Sequence, residues 1–158
     1  MRYISAYPYT LALLPLVLSC QSFPWPVKDV STFPTAKDYP NEARVILKAA
    51  KHIRFIEEDG KPLALETVQG AFRVLQARGL KNLSVRAHYD RSFTSIESFK
   101  VRTTHPDGTT KVYDKSAARD YSTNSSGQLY MDSRVLHLSL EEQPIGVVVE
   151  YEYVIRSH

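Results

Sequence analysis

The sequence predicts an all-β domain, an antiparallel β-sandwich or meander of about seven to eight strands with at most one short helix. Three observations carry that expectation. From Ala43 to Ile155, separate runs alternate apolar with polar residues at period two, the pattern that sends successive side chains to opposite faces of a strand. Between two arms rich in β-branched and aromatic residues stands His105-Pro106-Asp107-Gly108. There proline presets φ, aspartate can bond its own backbone, and glycine accepts positive φ, so the stretch closes a hairpin with a bulge at Gly108. Finally, turn clusters separate the remaining runs, and only the polar stretch near Ala117 suggests a helical turn. A chain of 158 residues with 43% hydrophobic content suits one domain plus a short tail and can bury a real core.

Residues 1–20 differ in kind from the rest of the chain. No charge appears after Arg2, and an apolar run ends at small residues, the composition of an export signal peptide. Pro8 and Pro15 interrupt the run, which is too short for a membrane span. Its last four residues, Val17-Leu18-Ser19-Cys20, resemble the lipobox of bacterial lipoproteins, which implies that Cys20 is acylated and becomes the new N-terminus. The other readings are an ordinary signal peptide with a stray cysteine, or a small buried hydrophobe. Cys20 is the sole cysteine, so no intramolecular disulfide forms. Several acyl chains would hold the protein to a bilayer, each buried methylene adding about 0.8 kcal/mol. The expected location is therefore exported: a membrane-anchored bacterial lipoprotein, periplasmic or at the outer membrane. Residues 21–41 hold Pro24, Pro26, Pro34 and Pro40 and read as a semi-rigid tether. Its aromatics Phe23, Trp25, Phe33 and Tyr39 are expected to dock onto the domain of residues 42–158.

The first strand places Val45, Leu47, Ala49, Ile53 and Phe55 inward against Arg44, Lys48, His52, Arg54 and Glu58. Lys51 breaks the pattern, which signals a bulge or a sheet edge. Glu57 to Pro62 turns the chain into Leu63 to Ala77, where Gly70 suggests a bend. Val68, Phe72 and Leu75 also fit an amphipathic helix, but the neighbours on both sides favour a strand. Arg78 to Asn82 is a turn. Leu83, Val85, Ala87 and Tyr89 then alternate with Ser84, Arg86, His88 and Asp90. The hairpin comes next, its first arm starting near Ile96. Lys115 to Gln128 reads as a polar, mobile loop after the turn near Ala117. Leu136, Leu138 and Leu140 share one face of the next strand. After a turn over Glu141 to Gly146, the last strand points Val147, Val149, Tyr151, Tyr153 and Ile155 inward and Glu150 and Glu152 outward.

Ala43-Arg-Val-Ile-Leu47, Glu58-Asp-Gly60, the Val74-Leu-x-x-x-Gly79 step, Tyr89-Asp90, Pro106-Asp-Gly108 and the closing Gly146-x-Val-Val-Glu-Tyr-x-Tyr153 stretch together resemble one family. It is an uncharacterised β domain of exported bacterial proteins, usually found N-terminal to a transglutaminase-like domain of papain fold. The resemblance covers roughly Tyr39 to His158. It implies an envelope location and an accessory role beside a cysteine-dependent catalytic domain, and it carries over no catalytic residues. With His158 as the last residue, the expectation divides between a module that stands alone and a piece of a longer protein.

Residue chemistry narrows the function further. Transglutaminase-like catalysis needs a thiolate activated by histidine, and the sole cysteine lies in the export signal. His52, His88, His105, His137 and His158 stand singly on different strands, so no metal site is expected, although His52 and His88 could meet across a sheet. The acidic groups at Glu57 to Asp59 and at Glu141-Glu142 fall in turns, where solvation is the ordinary state. There is no Gly-x-Ser-x-Gly elbow and no phosphate loop. The net charge of +3 is spread along the chain, so nucleic acid is not an expected partner. Tyr113, Tyr121 and Tyr130 flank the polar loop and form a candidate binding surface for peptide or sugar. The preferred reading has the same rings closing the core beneath the loop. The expectation is a non-catalytic cell-envelope lipoprotein module without a cofactor. It would bind the membrane through its lipid and present its β domain to a protein or polymer, with a transglutaminase-like protein, a peptide or a glycan as partner. The rival expectation is the substrate-docking part of a transglutaminase-like hydrolase.

Overall fold

The computed structural model describes residues 30–123 and 132–158. Its eight strands are β1 (Arg44–Glu58), β2 (Lys61–Val74), β3 (Ser84–Asp90), β4 (Thr94–Thr104), β5 (Thr110–Asp114), β6 (Arg119–Ser122), β7 (Ser133–Ser139) and β8 (Val148–Ser157). They form a five-stranded sheet in the order β1-β2-β8-β4-β5 and a three-stranded sheet in the order β3-β7-β6, with every pairing antiparallel. The only helices among the described residues are single 3₁₀ turns at Val30–Thr32, Ala77–Leu80 and Lys115–Ala117. The all-β antiparallel expectation therefore holds, and the helical alternative for Leu63 to Ala77 does not.

The core lies between the sheets. Leu83, Val85, Ala87, Leu136, Leu138 and Leu140 from the small-sheet side meet Ile96, Phe99, Val101, Val147, Val149 and Val74 from the large one. Each such side chain fully withdrawn from water contributes about 1.5–3 kcal/mol. The hairpin forms at His105-Pro106-Asp107-Gly108 as its residues dictate. The Gly108 N–H donates to the His105 carbonyl at 3.0 Å, the His105 N–H to the Thr109 carbonyl at 2.8 Å, and Gly108 has φ +85°. This is a type I turn closed by a left-handed glycine. Between β1 and β2, Asp59 and Gly60 both take positive φ, as a two-residue hairpin loop requires. The centre of the large sheet is β8, paired on both sides, and Val147 to Glu150 is buried on both faces.

Several expectations are corrected. In β1, Ile53 and Phe55 are 56% and 80% exposed rather than inward, because the small sheet does not reach this end of the large one. The expected bulge is present between Ile46 and Lys48, and β1 is an edge strand. Gly70 marks no bend, since Ala49, Gly70 and Tyr151 lie in register across three strands. A methyl group on Gly70 would clash with the hydroxyl end of the Tyr151 ring, at Cζ and Oη. Glu150 is fully buried and not solvated; Arg102 meets it at 2.7 Å. The stretch read as a loop contains β6, which pairs with β7 over Arg119 to Ser122. Its four residues are all exposed, so no apolar alternation betrays it.

In the residues preceding β1, Val30 to Asn41 is fastened to the domain. The Arg73 guanidinium donates to the carbonyls of Val30, Phe33 and Pro34 at 3.1, 2.9 and 3.3 Å, while Gln76 and Arg78 hold the carbonyls of Pro40 and Asn41. Phe33 is half-buried there and Tyr39 is exposed. Phe23 and Trp25 lie outside the described residues.

Candidate functional site

The small sheet turns one face to the core and the other to solvent. Burial of Val85, Ala87, Leu136 and Leu138 commits their alternate neighbours to the outer face. Register then aligns them. Arg86 stands opposite His137, and His137 opposite Arg119, making one row across β3, β7 and β6. The adjacent row is His88, Val135 and Tyr121. Arg86, His88, Arg119 and Tyr121 are exposed and His137 half-buried. The Tyr121 and His137 rings meet at 6.3 Å between centroids. Burial first, and the Arg86 charge second, push the His137 imidazole below its ordinary pKa. Ala117, Arg119, Tyr121, His137, Ser139 and Glu141 line a cleft of about 430 Å³ on this face. At its end the Ser139 hydroxyl donates to the Glu141 carboxylate at 3.1 Å. Among the described residues, neither Arg86 nor Arg119 is within 4.0 Å of a carboxylate oxygen.

Of the tyrosines singled out in the sequence, Tyr121 belongs to this face. Tyr113 lies on β5 in the other sheet, partly buried against the core, with Lys111 Nζ 5.0 Å from its ring centre. Tyr130 and Cys20 lie outside the described residues. His52 on β1 and His88 on β3 sit in different sheets, and among the described residues no three His, Cys, Asp or Glu side chains converge as a metal site. Sequence reasoning missed Arg86, Arg119 and His137. The signal available was Arg86 between Val85 and Ala87 and His137 between Leu136 and Leu138; their meeting depends on strand register.

Two further places have defined geometry. Near the β6 end of the same sheet, Asp120 accepts from the Tyr89 hydroxyl at 2.7 Å and from Arg134 Nε at 3.0 Å. Burial raises the Asp120 carboxyl, but these bonds outweigh it and hold the pKa below the ordinary value. At the far side of the large sheet, the inner face of β1 lies open. Ile46 (74% exposed), Ile53 and Phe55 share this face with Ala49 and with the Lys51–Glu66 ion pair at 2.7 Å. The outer backbone edge of β1 carries no partner strand among the described residues.

The order of strands can be set beside known proteins. A family model, described as a domain of unknown function with a solved structure (DUF3857), matches residues 63–158. The chain belongs to the DUF3857 family. The DUF3857 match opens inside β2 and takes in β3 to β8, so both rows of the small sheet fall within it and β1 precedes it. A solved structure of a candidate protease from Parabacteroides distasonis ATCC 8503 is similar to this DUF3857 chain, with a TM-score of 0.63 at 12% sequence identity. The likeness covers 73% of this chain and 23% of that one; at such identity it is a likeness of fold. This chain thus matches about a quarter of the length of that neighbour. No curated protein matches it.

Proposed function

We propose that this DUF3857 chain is a non-catalytic binding module of the bacterial cell envelope. Acylated Cys20 holds it to the membrane, and the β domain is presented to another protein. The observation that supports this reading most is the open end of the large sheet. The 15-residue strand β1 has an outer backbone edge with no partner strand among the described residues, beside the exposed side chains of Ile46, Ile53 and Phe55. Soluble proteins ordinarily blunt such an edge, and an incoming strand can add to it, taking affinity from main-chain hydrogen bonds and specificity from alternate side chains. The partner this reading favours is a transglutaminase-like protein that lends one extended strand. A second reading, an accessory segment of a larger hydrolase, draws on the fold neighbour, in which the shared architecture is 23% of the chain.

A photoreactive phenylalanine analogue placed at Phe55 in cells tests the module. One discrete adduct with a second envelope protein is expected, identified by mass spectrometry, and the same analogue at the exposed position Lys111 of β5 should give none. Absence of an adduct at Phe55, or the same adducts from both positions, counts against the reading.

A further inference from the structure

We propose that the outer face of the small sheet binds an anionic polysaccharide, a chain of carboxylate-bearing sugars laid across the row Arg86, His137 and Arg119. This surface is separate from the β1 edge, and the inference does not depend on that edge having a partner. The row gathers basic side chains on one solvent-facing surface. The register sets two exposed guanidiniums on either side of one imidazole. No carboxylate of the described residues forms an ion pair with either arginine. An anionic ligand complements both charges, and guanidinium binds carboxylate through two parallel hydrogen bonds.

Spacing and chemistry favour sugar over other anions. Two strand spacings separate the backbones of β3 and β6, about 9.5 Å, which is the span of two linked sugar rings in an extended chain. Carboxylates on alternate sugars would then meet Arg86 and Arg119 in turn. Tyr121, one row along and in contact with His137, offers an aromatic face to the apolar side of a sugar ring. Ser139 and Glu141 at the end of the cleft supply polar atoms for sugar hydroxyls. The Glu141 carboxylate would repel a densely charged anion, so its presence favours a ligand that mixes carboxylates with hydroxyls. An acidic peptide fits less well, because peptides take their main-chain bonds along a strand edge and this row runs across the strands.

The test uses the full chain and three labelled probes: a galacturonate hexamer, its fully methyl-esterified form, and hexaglutamate. Binding is read by fluorescence anisotropy at about 50 mM salt, where electrostatic attraction is only partly screened. Saturable binding of the galacturonate hexamer is expected. The ester should not bind, and hexaglutamate should bind about tenfold more weakly or worse. Arg86→Gln with Arg119→Gln should weaken galacturonate binding about tenfold or more, because both charge-assisted contacts are removed. Tyr121→Ala should weaken it several-fold while leaving the melting temperature unchanged. If the double variant fails to fold, Arg119→Gln alone decides, as its side chain is exposed on a short edge strand. The proposal is overturned by any of four results: no galacturonate binding, equal binding of the ester, equal or tighter binding of hexaglutamate, or full binding by the arginine variants.

Discussion

Gly70 shows what a single residue can mean once its neighbours are known. In sequence it looks like a weak point in a strand, because glycine there lacks a side chain to pack and costs backbone entropy. In the fold the absent side chain is what admits the Tyr151 ring, which stacks on Tyr153 at 6.2 Å between centroids. Gly70→Ala should therefore destabilise the protein by about 1–3 kcal/mol, the usual cost of forcing extra volume into packed side chains. In a Tyr151→Ala background the same change should be neutral or stabilising by up to about 1 kcal/mol, as alanine is preferred over glycine in a strand interior. Denaturant midpoints of the four proteins check this, and additive costs would show that the ring is not the obstacle. Glu150 carries the same lesson with charge. Its alternation with Val149 correctly predicts the face opposite the core, but the burial of that face and the Arg102 partner at 2.7 Å come from packing that no local pattern encodes.

Among the elements, β8 is the one whose disruption should be least tolerated. It pairs with β2 on one side and β4 on the other, and Val149 on its inner face is fully buried. Val149→Asp removes about 1.5–3 kcal/mol of burial and leaves a desolvated carboxyl costing several kcal/mol more. The sum is comparable with the whole stability of a domain of this size, about 5–15 kcal/mol. Loss of soluble monomer is expected, read from the soluble fraction after expression and from the thermal melt; normal yield with an unchanged melt would refute the assignment of faces. The strands with clean alternation, β3 and β7, are legible because each has one face against the core. The hairpin is legible because Pro106, Asp107 and Gly108 act locally. By contrast β6 is not, since four exposed residues leave no periodic signal and only backbone pairing with β7 defines them. The far half of β1 misleads for the opposite reason: its alternation is real, but nothing in the fold covers the apolar side.

For the molecule as a whole, the unequal sizes of the two sheets decide which surfaces are available. Three strands cannot cover five, so one end of the large sheet keeps its apolar face open while the small sheet offers a polar one. In the proposed function, placement at a membrane rests on Cys20. Cys20→Ser is expected to shift the protein from the membrane pellet to the soluble fraction after cell lysis and to abolish incorporation of labelled fatty acid. Unchanged fractionation would remove the anchor from the proposed function. Amino-acid order alone determined the all-β class, most strand positions and the turns, because alternation and turn chemistry act over a few neighbouring residues. Tertiary structure alone decided which faces were buried and which side chains met. The row of Arg86, His137 and Arg119 unites positions up to 51 residues apart only through strand register, a long-range choice fixed by how the apolar faces pack together.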